Sequence, residues 1–348
     1  MKMEIMQQNE EIWDLFTRKE EYNPPLLDKH GRFPFFLSKN REVLKPTVSQ
    51  FLMNNGQIIE YPDKKKFAVC LTHDIDRVFQ HFRERLISSG KSLSRFHLKS
   101  ALEQFFTLDP FRNFQEIINL EEKYNAKSTF FFITANEGNS YEPIYKINDL
   151  KNDLKSILEQ GWGIGLHGGY YTYNDVERMI LEKKCLERVV DKKIIGYRNH
   201  YLRFKTPETW EKLSEAGFKY DTTFGFPGMV GFRNGMCHPF KPYNIDKKSE
   251  INIFEIPLVI MDVTLNTYMH LDLVDRWRIC KQLIDKTKES QGVITILWHN
   301  TRFNEPLDRT WKKLYEKILR YCNEKDAWIT SAENITKWFE KNGWWNRV

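Results

Sequence analysis

The chain lacks any long hydrophobic run. Over its 348 residues the mean hydropathy is −0.59, and no apolar stretch approaches the roughly 18 residues that a membrane-spanning helix needs. The first residues, MKMEIMQQNEEIWDLF, place glutamates where a secretory signal peptide needs an apolar core. From these absences we expect no membrane span and a cytoplasmic location.

Cysteine is scarce and scattered. The five cysteines are odd in number, and none forms the C-x-x-C pair that is typical of a zinc ribbon. They stand at Cys70, Cys185, Cys237, Cys280 and Cys322. Their spacing does not indicate a disulfide framework either. We therefore expect reduced and mostly buried thiols.

Motifs for nucleotide and nucleic-acid binding are also missing. The sequence contains no G-x-G-x-x-G, no P-loop and no low-complexity segment. The formal net charge of +6 is modest, and basic residues gather only in short clusters such as residues 64–66 and 192–193. Because no basic stripe with interleaved aromatics appears, we expect no nucleic-acid partner.

What the chain does contain is a repetitive pattern that follows an N-terminal extension. The extension, residues 1–62, has one amphipathic helix near residues 10–18, and we expect it to pack on the remainder. From Phe67 onward, short apolar strand segments alternate with helical ones, which indicates parallel β-α units. Seven or eight such strands favour a barrel over residues 63–348 rather than an open doubly wound sheet, although periodicity alone does not decide.

Polar side chains that can bind a metal or transfer protons recur where the predicted strands end. In parallel α/β folds the loops that follow the strands converge at that edge, so sites are built there. The residues are Asp74, Asp76, His167, Arg198, His200, Asp221, Asp262 and His299. Their shared placement predicts one site at the mouth of the barrel.

The segment LTHDID supplies two of these carboxylates. Asp74 and Asp76 are two residues apart in a strand, so both point to the same face. Two carboxylates this close are not both comfortably ionised unless a cation or an arginine lies between them. A metal on one and a proton-transfer task for the other resolve the conflict. Helix N-capping would explain one aspartate but not both.

The remaining strand ends add imidazoles and a guanidinium. A neutral His167 together with Asp76 suits zinc or a similar divalent ion. Arg198 either pairs with an ionised Asp74 or holds an anionic group of the substrate. His299 follows a buried strand, and because its pKa lies near working pH it suits the protonation of a leaving group.

Five motifs occur in an order that resembles a known family. LTHDID, STFFFIT, GLHGGYY, GYRNHYLRF and ILWHN follow the motif order of polysaccharide deacetylases (carbohydrate esterase family 4, the NodB-homology domain). The resemblance covers roughly residues 66–335 and does not reach the N-terminal extension. It implies an α/β fold with a distorted parallel (β/α)7–8 barrel. It also implies removal of acetyl groups from N-acetylated sugars with a divalent metal held as Asp-His-His.

The resemblance gives each matching position a role. Asp74 matches the catalytic base, and Asp76 and His167 match the first two metal ligands. Arg198 matches the arginine that orients the base.

His299 matches the catalytic acid of the family. Tyr201 falls where a backbone N–H helps to stabilise the oxyanion. Either Asp221 or Asp262 would orient His299, and the sequence leaves this choice open.

The chain departs from the family pattern at two positions. The second metal histidine is replaced by Tyr171, whose neutral phenol is a poor ligand at neutral pH. The proline after the motif arginine is replaced by His200, on the same predicted face as Arg198. We therefore predict that His200 completes the metal site. Without it, Asp76 and His167 would be the only protein ligands, and the site would be poor in metal.

The predicted function is hydrolysis of an N-acetyl amide by metal-assisted water attack, with zinc as the expected metal. The partner would be an acetylated saccharide, carried by a nucleotide or a lipid if the location is cytoplasmic. Two alternatives stay open. One is a metal-independent amidohydrolase acting on a small cyclic amide, and the other is a degenerate barrel that binds glycan without turnover.

Overall fold

A curled parallel sheet with flanking helices forms the body of the computed structural model, which describes residues 2–80, 109–135, 141, 143, 145–304 and 309–342. Its strands are β1 (Phe67–Ile75), β2 (Thr129–Ile133), β3 (Gly163–Gly168), β4 (Gly196–Asn199), β5 (Tyr220–Asp221), β8 (Phe254–Glu255), β9 (Leu258–Met261), β10 (Val293–Leu297) and β11 (Ala327–Thr330). A separate hairpin pairs β6 (Tyr243–Asn244) with β7 (Ser249–Glu250).

The strand order places β1 at the centre of the sheet. Eight strands run in the order β8-β5-β4-β3-β2-β1-β10-β9, and β11 also pairs with β1. All pairs in this sheet are parallel. Every residue of β1 is buried, as expected for a strand that helices cover on both faces. The structure thus confirms the distorted parallel barrel of the deacetylase type.

Register explains why the far end of β1 is the place for a site. The first half of β1 pairs with β11, through residues 67–70, whereas its second half pairs with β2, through residues 72–75. Near the carboxyl ends of β3 and β4, His167 pairs with Arg198. The carboxyl ends of these strands therefore meet at one edge, as the sequence pattern predicts.

Helices precede the sheet, connect its strands and follow its last strand. They are α1 (Lys2–Gln7), α2 (Glu10–Thr17), α3 (Thr47–Asn54), α4 (Phe114–Glu122), α5 (Lys151–Glu159), α6 (Val176–Val190), α7 (Glu208–Glu215), α8 (Leu273–Glu289), α9 (Arg309–Glu324) and α10 (Ala332–Asn342). Two of them begin at aspartate caps: Asp175 accepts a hydrogen bond from the backbone N–H of Arg178, and Asp272 from that of Asp275. No described helix has the length and apolar character that crossing a bilayer requires.

Short helical turns occur along the described chain, and two of them, at residues 200–202 and 264–268, line the candidate site. The 3-10 turns are Lys19–Glu21, Phe35–Leu37, Pro62–Lys64, Ile147–Leu150, Thr172–Asn174, His200–Leu202 and Asn300–Phe303, and a π-helical turn spans Thr264–Tyr268. All five cysteines are unpaired, and all but Cys185 are buried.

A buried ion-pair network attaches the N-terminal extension to the barrel. Glu21 accepts hydrogen bonds from Arg18 (2.7 Å) and Arg233 (2.6 Å), and its other contact is the hydroxyl of Thr206 (2.9 Å). Burial alone would raise the pKa of Glu21, but Arg233 and Arg18 lower it to about 2. Removing one partner of such a buried pair typically costs about 3–5 kcal/mol.

The domain boundary at residue 62 stays a prediction, and residues 343–348 lie outside the described part of the chain.

Candidate active site

Asp74 lies at the end of β1 with an arginine against it. One guanidinium nitrogen of Arg198 is 3.1 Å from Asp74 Oδ1 and donates to the hydroxyl of Thr72 at 2.8 Å. Two further donors of Arg198 bind Thr222, and its guanidinium stacks over the Phe131 ring at 4.9 Å. Arg198 is fully buried, and Asp74 is 2% exposed. Arg198 therefore holds Asp74 in one orientation.

His167 is oriented by the strand beside it. Its Nδ1 is 2.9 Å from the backbone carbonyl of Arg198, which therefore accepts a hydrogen bond from the ring. This contact leaves Nε2 facing the carboxylates, 3.2 Å from Asp76 Oδ1 and 3.5 Å from Asp74 Oδ2. A histidine held in this way through one nitrogen is the usual arrangement of a metal ligand. Burial lowers the pKa of His167, but Asp74 and Asp76 outweigh burial and raise it.

His200 reaches the same carboxylate by a local route that differs from the prediction. Strand β4 ends at Asn199, so His200 begins a 3-10 turn and does not continue the strand face of Arg198. Its Nε2 nevertheless lies 3.7 Å from Asp76 Oδ1, and its ring centroid is 5.1 Å from that of His167. Burial lowers the pKa of His200 to about 4 despite Asp76, so the ring is neutral at pH 7.

Asp76, His167 and His200 together fit a divalent cation. Each offers one ligand atom, and these atoms lie within 4.8 Å of one another. Ligands about 2.0–2.2 Å from a tetrahedral ion are themselves about 3.3–3.6 Å apart, close to the 3.2 and 3.7 Å separations found here. The Oδ1 of Asp76, which both imidazoles approach, is buried and has no hydrogen-bond partner among the described residues, which is rare for a polar atom without a ligand.

The charges around Asp76 agree with this use. Burial raises the pKa of Asp76, but His200, His167 and His299 together hold it well below its usual range. One carboxylate and two imidazoles form a donor set that zinc and similar ions prefer.

His299 lies on the opposite flank of Asp76 and has its own aspartate. Its Nδ1 is 2.6 Å from Asp262 Oδ1, and its Nε2 is 3.6 Å from Asp76 Oδ2. Arg302 donates to the second oxygen of Asp262 at 2.7 Å. Burial lowers the pKa of His299, but Asp262 and Asp76 raise it to about 9. His299 therefore carries a proton at neutral pH and presents Nε2 to the pocket.

The geometry chooses between the two aspartates that the sequence left open. Asp262, which follows β9, contacts His299 directly. Asp221 accepts instead from the hydroxyl of Thr223 at 2.6 Å and pairs in register with Glu255 on β8. Burial raises the pKa of both Asp221 and Glu255, which marks a buried pair of acids away from His299.

A pocket of about 310 Å³ unites these groups. It is lined by Arg32, Asp74, Asp76, His167, Asn199, His200, Tyr201, Leu202, Met261, Val263, Thr267, Tyr268 and His299. Of the predicted site residues, Arg198 lies just behind the pocket through its contact with Asp74. Tyr171 is 48% exposed and is absent from the lining. Its ring packs beside that of Tyr170.

Three residues that sequence reasoning missed complete the site. Arg32 comes from the N-terminal extension, Tyr268 from the turn after β9, and Arg302 from the turn after β10. No local pattern marks Arg32 or Tyr268. Arg302 had one usable signal, since it stands three residues after the predicted acid His299.

Comparison with known proteins agrees with this architecture. No protein-family model and no curated protein matches the chain. A provisionally named polysaccharide deacetylase from Mycobacterium smegmatis superposes with a TM-score of 0.57 at 16% identity, over 83% of this chain and 96% of that one. Another from Pseudomonas aeruginosa superposes with a TM-score of 0.57 at 14% identity, over 92% of this chain and 100% of that one.

The chain has the polysaccharide deacetylase fold. This confirms the fold that the five motifs imply. At identities of 14–16%, these superpositions establish shared architecture. Because one fold hosts several chemistries, the activity has to be argued from the site itself.

Proposed function

We propose that the protein is a metal-dependent hydrolase that removes an N-acetyl group from an acetylated saccharide. One observation carries the proposal: the cluster of Asp76, His167 and His200 lies between a carboxylate and a protonated imidazole. An ion site flanked by a proton acceptor and a proton donor is what hydrolysis of an amide requires.

The metal would be held by Asp76, His167 and His200. When bound, a divalent ion of the zinc type polarises the amide carbonyl and lowers the pKa of water. The protein's own side chains carry out the proton transfers.

Asp74 is the proton acceptor in this mechanism. Its Oδ1 is engaged by Arg198, while its Oδ2 faces His167 at the pocket. The second oxygen is therefore the one that takes a proton from the attacking water. Arg198 fixes the direction of the carboxylate beforehand, so little reorganisation is needed.

His299 is the proton donor. Its Nδ1 contacts Asp262, so the proton that it gives to the departing amine comes from Nε2, on the pocket side. The backbone N–H of Tyr201, at the pocket wall, donates to the developing oxyanion. Each proton transfer of this kind is worth about 10²- to 10⁴-fold in rate.

The test combines metal content with acetate release. The purified protein is analysed for bound metal, stripped with a chelator and reloaded with zinc, and each form is assayed on a panel of N-acetylated saccharides. We expect metal near one equivalent per chain and acetate release that disappears on stripping and returns on reloading. Acetate release by the stripped protein would favour the metal-independent amidohydrolase. Metal and saccharide binding without acetate release would favour the glycan-binding barrel.

The identity of the sugar and its carrier, and the cytoplasmic location, stay predictions of the sequence. The saccharide panel addresses the first, and cell fractionation addresses the second.

A further inference from the structure

We propose that Arg32, in the N-terminal extension, is a positioning residue that holds the backbone of Tyr201 in its left-handed conformation at the pocket wall. This inference rests on the proposed function, because it is Tyr201 that would supply the oxyanion contact. The carrying observation is that a guanidinium 169 residues earlier in the chain donates to the Tyr201 carbonyl at 2.7 Å.

The turn that contains Tyr201 is strained. Tyr201 has φ of 60° and Leu202 has φ of 52°, so two consecutive residues other than glycine occupy the left-handed region. Such conformations are unfavourable for residues other than glycine and persist only where the surroundings impose them. A backbone N–H aimed from this turn therefore depends on contacts made to the turn.

Arg32 makes one of these contacts and binds a second pocket wall at the same time. One terminal nitrogen donates to the Tyr201 carbonyl, and the other donates to the hydroxyl of Tyr268 at 3.3 Å. Tyr201 and Tyr268 both line the pocket, and their side chains are 37% and 39% exposed. The single guanidinium thus joins two walls of the pocket that come from different turns.

Arg32 is itself fixed before any substrate arrives. Its Nε donates to Asp28 Oδ2 at 2.8 Å, and the backbone N–H groups of His30 and Arg32 donate to Asp28 Oδ1. Burial raises the pKa of Asp28, but Arg32 outweighs burial and lowers it. Gly31, with φ of 71°, closes this tight turn. Arg32 is only 5% exposed, so it acts as a preorganised fork.

These contacts give Arg32 a defined effect on the reaction. Fixing the carbonyl of Tyr201 restricts the rotation of its backbone and hence the direction of its N–H. An oxyanion donor acts in the transition state and not in substrate binding, so its displacement lowers kcat and leaves KM nearly unchanged. Loss of one such donor costs about 10²- to 10³-fold in kcat, and its misorientation costs less.

The first measurement is steady-state kinetics of Arg32→Ala. We expect kcat to fall by about 10- to 100-fold, with KM within about threefold and metal content unchanged. Arg32→Lys, which keeps the charge but not the fork, should be intermediate. The matched control is Arg41→Ala, since Arg41 is an exposed arginine of the same extension whose described contacts are local, with the carbonyls of Phe35 and Phe36 and the Phe35 ring. It should behave as wild type.

The second measurement does not depend on activity. Hydrogen–deuterium exchange over residues 196–204 should rise in Arg32→Ala and stay at the wild-type level in Arg41→Ala. Unchanged exchange there would overturn the proposal, and so would a loss of metal or a rise in KM that accounts for the whole effect. If wild type releases no acetate, the proposed function fails, and exchange still decides whether Arg32 holds the Tyr201 turn.

Discussion

The two flanks of the pocket use the same kind of ion pair in opposite orders. On the base flank, Asp74 faces the pocket and Arg198 lies behind it. On the acid flank, His299 faces the pocket, Asp262 lies behind it, and Arg302 lies behind Asp262. On the acid flank, Asp262 outweighs burial and raises the pKa of His299, so the imidazole holds a proton that it can give. On the base flank, Arg198 engages one oxygen of Asp74 and leaves the other facing the pocket, where it can accept a proton.

The flanks also differ in how firmly they are held. Arg198 is fully buried, and its side chain donates four hydrogen bonds, two to Thr72 and Asp74 on β1 and two to Thr222 after β5. The side chain of Arg302 is 22% exposed and that of His299 is 13% exposed. The base is therefore built into the sheet, whereas the acid lies on a turn that a substrate reaches from solvent.

Asp74→Asn breaks the base flank and should have the largest effect. The amide still accepts a hydrogen bond from Arg198, so we expect the variant to fold, but it has no charge with which to take up a proton. We expect kcat to fall by at least about 10²-fold. The measurements are acetate release, bound metal and the unfolding midpoint. Activity above about a tenth of wild type would remove Asp74 from the mechanism.

His299→Ala breaks the acid flank. Without the donor, the amine leaves unassisted, and we expect a loss of about 10²-fold in kcat or more. Metal content should be retained, because His299 contacts Asp76 only at 3.6 Å through the pocket. Metal analysis of the variant is the control. If metal leaves together with activity, His299 is a ligand and the two flanks do not have separate tasks.

His200→Ala tests what lies between the flanks. Removing one of three protein ligands should weaken metal binding by at least about tenfold, measured by titration of the stripped protein with zinc. Tyr171→Phe is the matched control, since Tyr171 lies outside the pocket lining and should not alter the titration. Full metal occupancy in His200→Ala would contradict the assignment.

The fold was accessible from the sequence because local and global signals agree. Apolar runs such as residues 67–71 and 293–297 are buried strands, and strands alternate with helices from Phe67 onward, as the pattern predicts. The strand-end rule then brought Asp74, Asp76 and His167 to one edge. These inferences need only periodicity and the parallel topology.

The rest of the site depends on tertiary contacts that no local pattern encodes. His200 was expected on the strand face of Arg198, but β4 ends one residue earlier and a turn delivers the ring to Asp76. Arg32 lies 169 residues from the carbonyl that it binds, in a part of the chain that the motif resemblance does not reach. Sequence reasoning could name the residue types at the edge but not the partners that orient them.

Asp221 and Asp262 show this limit most clearly, and they provide the last comparison. Both are fully buried aspartates that follow strands of one sheet, so sequence pattern gives them equal standing. Only Asp262 contacts His299, at 2.6 Å, whereas Asp221 pairs with Glu255. In Asp262→Asn the neutral amide no longer holds the proton on His299, and we expect kcat to fall by about tenfold or more.

Asp221→Asn is the control for that change, because it makes the same substitution in an equally buried place. The acid that it replaces already shares its site with Glu255 and has a raised pKa, so a neutral amide fits there without an unpaired charge. We expect kcat within about twofold of wild type and unchanged metal content. Acetate release by the two variants, measured side by side at one pH, decides the matter. Equal losses of kcat would show that burial in the barrel, and not contact with His299, explains both effects. The acid flank would then have no separate role in catalysis.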